Sequence, residues 1–143
     1  VHFTAERGWI NDPNGLCFYD GRYHLFYQHN PYGRLWGNMH WGHAVTEDLI
    51  RWKYLPAAMA PDQTYDADGV FSGSAVEYQG KQCLLYTGVS EVHLPDGKRA
   101  VRQTQCLAVG DGIDYQKIEG NPVITAELLP EGSSKESVLQ GRW

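Results

Sequence analysis

LCFYDGRYHLFYQ, residues Leu16 to Gln28, returns in altered form as AVEYQGKQCLLYT, residues Ala75 to Thr87. The two stretches superpose without a gap and match Tyr19 with Tyr78, Gly21 with Gly80, Leu25 with Leu84 and Tyr27 with Tyr86, each pair 59 positions apart. In the first, two runs rich in aromatic and apolar residues flank Asp20-Gly21, the strongest short signal for a β-hairpin. A second pair follows: HAVTEDLIRWKYL (His43 to Leu55) resembles LAVGDGIDYQKI (Leu107 to Ile118), each a strand, an acidic turn and an aromatic-bearing strand. No stretch of useful length carries the period of a helix. Each unit therefore supplies about four antiparallel strands. Four-stranded units repeated at tens of residues predict propeller blades, because one such sheet cannot bury its faces alone and must stack on neighbours around an axis. A β-sandwich is the alternative, since its strands share the spacing without the paired resemblance.

The expected fold is all-β: two four-stranded antiparallel blades of an incomplete propeller, the first over about residues 10–60, the second over about 68–125, then a polar tail over 126–143. A third inner strand is due near residue 130, but Pro130 to Ser137 reads as polar loop. Two repeats fall short of the roughly three that such architectures need. The sequence thus reads as a piece of a larger propeller, or as a chain that self-associates or joins the rest of a propeller to cover its edges.

Composition narrows the partners. The 143 residues carry 12 Lys+Arg against 17 Asp+Glu, a net charge of −5 without a basic run, which argues against nucleic acid and against an anionic membrane surface. No apolar stretch approaches the roughly 20 residues that cross a bilayer, and Val1-His2-Phe3-Thr4 lacks the form of a signal peptide, so no membrane association is expected. Cys17, Cys83 and Cys106 are too few and too scattered for a disulfide framework or a zinc site. They read as buried thiols on strands, which points to a reducing, cytoplasmic compartment, a secreted parent being the other reading.

WINDPNG, Trp9 to Gly15, contains the turn-forming run Asp12-Pro13-Asn14-Gly15, so Asp12 either bends the chain or faces a ligand. The repeat favours the second. Phe71 follows Asp12 by 59 positions, which sets both where inner strands of successive blades begin and side chains converge on the axis. Around them stand FYQHNP (Phe26 to Pro31), WGNMHWGH (Trp36 to His43) and VFSGS (Val70 to Ser74). A carboxylate, amides, a hydroxyl and indole faces supply what a sugar needs: oriented hydrogen bonds for its hydroxyls and an apolar wall for its C–H face.

With these four motifs in this order and spacing, the sequence resembles glycoside hydrolase family 32, the invertase, sucrose-phosphate hydrolase and fructanase group, across Val1 to about Thr125. The resemblance implies a five-bladed β-propeller with its active site in the axial funnel, usually followed by a β-sandwich. It also implies retaining hydrolysis of small β-fructofuranosides such as sucrose, with no cofactor or metal. Residue by residue, Asp12 resembles the nucleophile, and Trp9, Asn11, Gln28, Trp36, Phe71 and Ser72 resemble the fructose-binding shell. Amide donors such as Asn11 are expected to keep Asp12 ionised.

The family pattern continues with an Arg-Asp-Pro motif and a Glu-Cys motif that supplies the acid/base; neither occurs in these 143 residues. GSSKES (Gly132 to Ser137) approaches the place of the first, but VLQGRW follows. The chain by itself is therefore expected not to hydrolyse sucrose at an enzymatic rate. The alternatives are a non-catalytic carbohydrate-binding or assembly module that keeps the pocket without the acid, and a fragment with no independent role. The motifs do not separate sucrose from its phosphate ester or from fructans, whose selecting residues would lie in later blades.

His40 and His43 stand three apart, which on a strand points them to opposite faces and argues against a shared metal. DQTYDADGVF (Asp62 to Phe71) lacks the glutamate and flanking helices of a calcium loop. Asp66 and Asp68 are expected in a solvated acidic loop near the funnel mouth; a role in admitting or selecting substrate is the alternative. Tyr19, Tyr27, Tyr78 and Tyr86 read as packing residues, and Cys83 and Cys106 as core.

Overall fold

A computed structural model describes residues 2–128. The chain forms two four-stranded antiparallel sheets in simple meander order. The first comprises β1 (Trp9–Tyr19), β2 (Arg22–Asn30), β3 (His40–Thr46) and β4 (Lys53–Met59). The second comprises β5 (Gly69–Tyr78), β6 (Lys81–His93), β7 (Arg99–Gly110) and β8 (Tyr115–Lys117). One 3₁₀ turn, Ala126–Leu128, follows; the remainder of the expected polar tail lies outside the described residues.

Both hairpins close as the repeat predicts. Asp20 and Gly21 have φ of 47° and 74°, and Gln79 and Gly80 have 51° and 73°. Positive φ at both central residues is the type I′ geometry, whose twist matches that of the flanking strands. The second turn thus adopts the first one's form although Gln79 replaces the aspartate.

The sheets meet where β1 runs alongside β5. Phe26 and Trp41 from the first pack against Val70, Leu84, Tyr86 and Cys106 from the second, all fully buried. The approach is close: Gly15, at φ 49°, leaves no room for a side chain, since a Cβ there would stand 2.8 Å from that of Ala75. On the outer face of the first sheet, Leu25, Tyr27 and Ala44 form a smaller cluster under Phe3, whose ring meets those of Tyr27 and Trp52 edge-on at 5.1 and 5.2 Å.

β2 is consequently buried on both faces from His24 to Asn30, whereas its counterpart β6 alternates along much of its length. Two expectations are corrected by this asymmetry. Tyr78 is 64% exposed rather than packed, and Cys83 is only half-buried, because both belong to the second sheet, whose outer face carries no neighbour among the described residues. Tyr19, Tyr27 and Tyr86 are buried, as is Cys106.

Candidate active site

β1 enters the first sheet through a bulge. Ile10 pairs with His29 and Pro13 with Tyr27, so Asn11 and Asp12 together stand opposite Gln28. β5 has its own bulge: Phe71 pairs with Thr87 and Gly73 with Tyr86, which leaves Ser72 without a cross-strand partner. A bulge re-aims side chains where a ladder would alternate them. Pro13 and Gly73 both face the repeated tyrosine, Tyr27 or Tyr86, so the register counterpart of Asp12 is Ser72 and not Phe71. One further extra residue in β1, between Asn14 and Cys17, restores the 59-residue offset by Cys17 and Val76. The two bulges face each other, and the Ser72 hydroxyl donates to Asp12 Oδ2 at 2.9 Å.

Around this contact lies a cavity of about 420 Å³. Asn11, Asp12, Gln28, Trp36, Phe71 and Ser72 all line it. Trp9 does not; its indole N–H donates to Asn11 Oδ1 at 2.7 Å, which commits that oxygen and leaves the amide NH₂ as the donor end. Asn11 is the expected donor to Asp12, but the observed donor to the carboxylate is Ser72. Trp36, 57% exposed, stands on the β2–β3 loop with its ring edge-on to Phe71 at 5.8 Å. Asn30 shapes that loop, donating to Leu35 O at 2.9 Å and accepting from Tyr32 N at 3.1 Å.

Sequence reasoning missed Thr87 and Gln103, which complete the wall. Thr87 was within reach, because it aligns with Gln28 in the repeat. No such signal marks Gln103.

Asp12 is the one carboxylate among the described residues that lines the cavity, and no basic side chain among them joins it. Asp66, expected in a solvated loop, is instead fully buried, accepting from Lys117 Nζ at 2.6 Å and Tyr86 OH at 2.9 Å. Burial, reinforced by Asp66, raises the Tyr86 hydroxyl far above its ordinary range. Burial opposes ionisation of Asp62, but its bond to Lys117 and the lysine's charge outweigh that and hold it low. Asp68 Oδ2 accepts from Glu91 N and ties the same loop to β6.

His40 bonds the Asn38 carbonyl at 2.7 Å, while His43 shares a proton with His24 across 2.9 Å on the opposite face. Burial lowers both His40 and His43, the latter to about 3, with His24 and Arg22 adding to the effect on His43. Among the described residues no group of three or more His, Cys, Asp or Glu is placed to hold a metal.

A profile of the glycosyl hydrolases family 32 N-terminal domain matches residues 2–137. The chain belongs to glycosyl hydrolases family 32. Within that family it is 51% identical over 117 residues to a sucrose-6-phosphate hydrolase of Zymomonas mobilis, covering 81% of this chain and 23% of that protein. It is 53% identical over 131 residues to a vacuolar acid β-fructofuranosidase of a Rosa hybrid cultivar, covering 87% and 21%. Among solved structures, a sucrose complex of a variant family 32 β-fructofuranosidase from Bombyx mori superposes with a TM-score of 0.76 at 42% identity, covering 87% of this chain and 25% of that one.

The chain thus spans about a fifth to a quarter of the length of these family 32 relatives. Its two sheets are adjoining blades of the family 32 β-propeller.

Proposed function

We propose that this chain is the part of a β-fructofuranosidase that grips the fructosyl unit and supplies the nucleophile for retaining hydrolysis of sucrose or a related fructoside. The observation that carries the reading is Asp12: a carboxylate on a strand bulge, bonded by Ser72, in a cavity lined by the Asn11 and Gln28 amides and by the Trp36 and Phe71 rings. The names of the relatives, a sucrose-6-phosphate hydrolase and an acid β-fructofuranosidase, support the substrate class.

In retaining hydrolysis one carboxylate attacks the anomeric carbon while a carboxylic acid about 5 Å away protonates the leaving oxygen. The same group then deprotonates the water that releases the sugar from its ester with the nucleophile. The Ser72 hydroxyl occupies Oδ2 and leaves Oδ1 as the attacking oxygen. The Asn11 and Gln28 amides meet sugar hydroxyls, and the rings of Trp36 and Phe71 cover the C–H face, so binding presents the anomeric carbon in line. No second carboxylate lines the cavity among the described residues, so this reading takes the acid from a part of the protein beyond them.

Calorimetry on the 143-residue chain tests the reading. Fructose binding that Asp12→Ala abolishes, with no glucose released from sucrose, is the expected result. A chain that binds no fructose sinks the sugar site. Glucose release that is lost in Asp12→Ala would show the acid to lie within the chain after all.

A further inference from the structure

Three successive backbone carbonyls at the start of β5 each accept a side-chain hydrogen bond. Val70 O takes Gln28 Nε2 at 2.9 Å, Phe71 O takes Trp41 Nε1 at 3.0 Å, and Ser72 O takes Thr87 Oγ1 at 3.2 Å. The donors come from β2, β3 and β6, hence from both sheets. β5 is the inner edge of its sheet, and its bulged Ser72 has no ladder partner, so this segment is where a strand most needs outside donors.

The direction of the last bond is determined by proton count. A threonine hydroxyl has one proton. Gln105 Nε2 donates to Thr87 Oγ1 at 3.0 Å, so the Thr87 proton goes to the Ser72 carbonyl. The Ser72 hydroxyl in turn donates to Asp12. Gly73 lets the bulge close, since a Cβ there would fall 2.0 Å from Leu85 O.

We propose that Trp41 and Thr87 are positioning residues for Asp12: from opposite sides they pin the β5 bulge so that Ser72 presents its hydroxyl to the carboxylate. The inference rests on the reading of Asp12 as the reacting group. Trp41 is fully buried and lines no part of the cavity; Thr87 lines it, but its one proton is committed to the Ser72 carbonyl and its oxygen accepts from Gln105, so in this proposal both act through Ser72.

Thr87→Val keeps the shape and removes the relay; Thr87→Ser keeps the hydroxyl. Crystal structures and calorimetric fructose titrations of both are compared with the parent. The valine variant is expected to melt as the parent does, to lose the 2.9 Å Ser72–Asp12 contact and to bind fructose about tenfold more weakly. The serine variant restores both. In a Ser72→Ala background, Thr87→Val has no further effect on binding, the signature of one acting through the other. Trp41→Phe, which lacks the indole N–H, is expected to lose the same contact and provides the test should the valine variant not fold. A valine variant that keeps the contact, or whose loss multiplies that of Ser72→Ala, overturns the proposal. If the contact responds as stated while the parent binds no fructose, the sugar reading falls and the positioning relay stands.

Discussion

Asp66 is fully buried, and its carboxylate is shared by three donors: Lys117 Nζ and Tyr86 OH on one oxygen, Gln63 N on the other. Lys117 distributes its protons over Asp66, Asp62 and the Ala60 carbonyl, each at 2.6 Å. Breaking a buried ion pair by removing one charge leaves the other without compensation, a loss of about 3–5 kcal/mol. Asp66→Asn keeps the shape and a hydrogen-bond acceptor, so its expected cost lies near the lower end, about 3 kcal/mol, measured by urea unfolding. Asp66→Asn leaves the largely buried Lys117 with the exposed Asp62 as its remaining carboxylate, so adding Lys117→Met is expected to recover part of that loss; a double variant weaker than the single one contradicts this account. At this scale Asp12 was legible, because WINDPNG is a local run with a turn mechanism and a motif context. Asp66 was not. Its partner Lys117 lies 51 positions away, and nothing beside it in sequence distinguishes a buried carboxylate from a solvated one.

At the level of elements, β2 and β3 place His24 and His43 on the face that packs against the second sheet, both fully buried. Two neutral imidazoles hold two protons. One lies between them, and among the described residues His24 Nε2 and His43 Nδ1 have no hydrogen-bond partner. Burial lowers His24, with Arg22 adding to it and the Tyr19 backbone and Asp20 working against it; the Tyr115 ring, on β8, meets His43 edge-on at 5.8 Å, while its hydroxyl donates to Gln82 and is raised by burial. The sign follows. A histidine held below its unfolded value of about 6.5 leaves the unfolded state as the better proton binder, so stability is full above that pH and falls as pH drops toward the folded value, about 3 for His43. From pH 7 to pH 5 the His43 ring is expected to cost about 2 kcal/mol in urea unfolding free energy. His43→Phe is expected to flatten that slope by about one ring's share; equal slopes in parent and variant would refute the origin in this pair. The strands themselves were legible from hairpin turns and alternation, but the burial of β2 on both faces depends on Phe3 and on a second sheet that no local pattern announces.

For the whole molecule, the repeat has a consequence in its faces. His24, Phe26 and Gln28 of β2 look toward the second sheet, while their register counterparts Cys83, Leu85 and Thr87 of β6 look away from the first. Leu85 is 37% exposed and Val76, on the same face, 59%. We expect this face to drive self-association of the chain in isolation, because it corresponds to the one the first sheet buries. Sedimentation above the 16.1 kDa of one chain, reduced by Leu85→Lys, is the expected observation, and a concentration-independent monomer would contradict it. Sequence alone determined the two units of four strands, their hairpin turns and the polar and aromatic residues gathered at the strand starts. Those features come from period-two patterning and turn stereochemistry, which act between near neighbours. Tertiary structure alone decided that Ser72 rather than Phe71 opposes Asp12, that Gln103 joins the wall, and that Asp66 is buried on Lys117. A bulge adds one unpaired residue whose position is chosen by how two sheets pack, and charges far apart in the chain meet only once that packing exists.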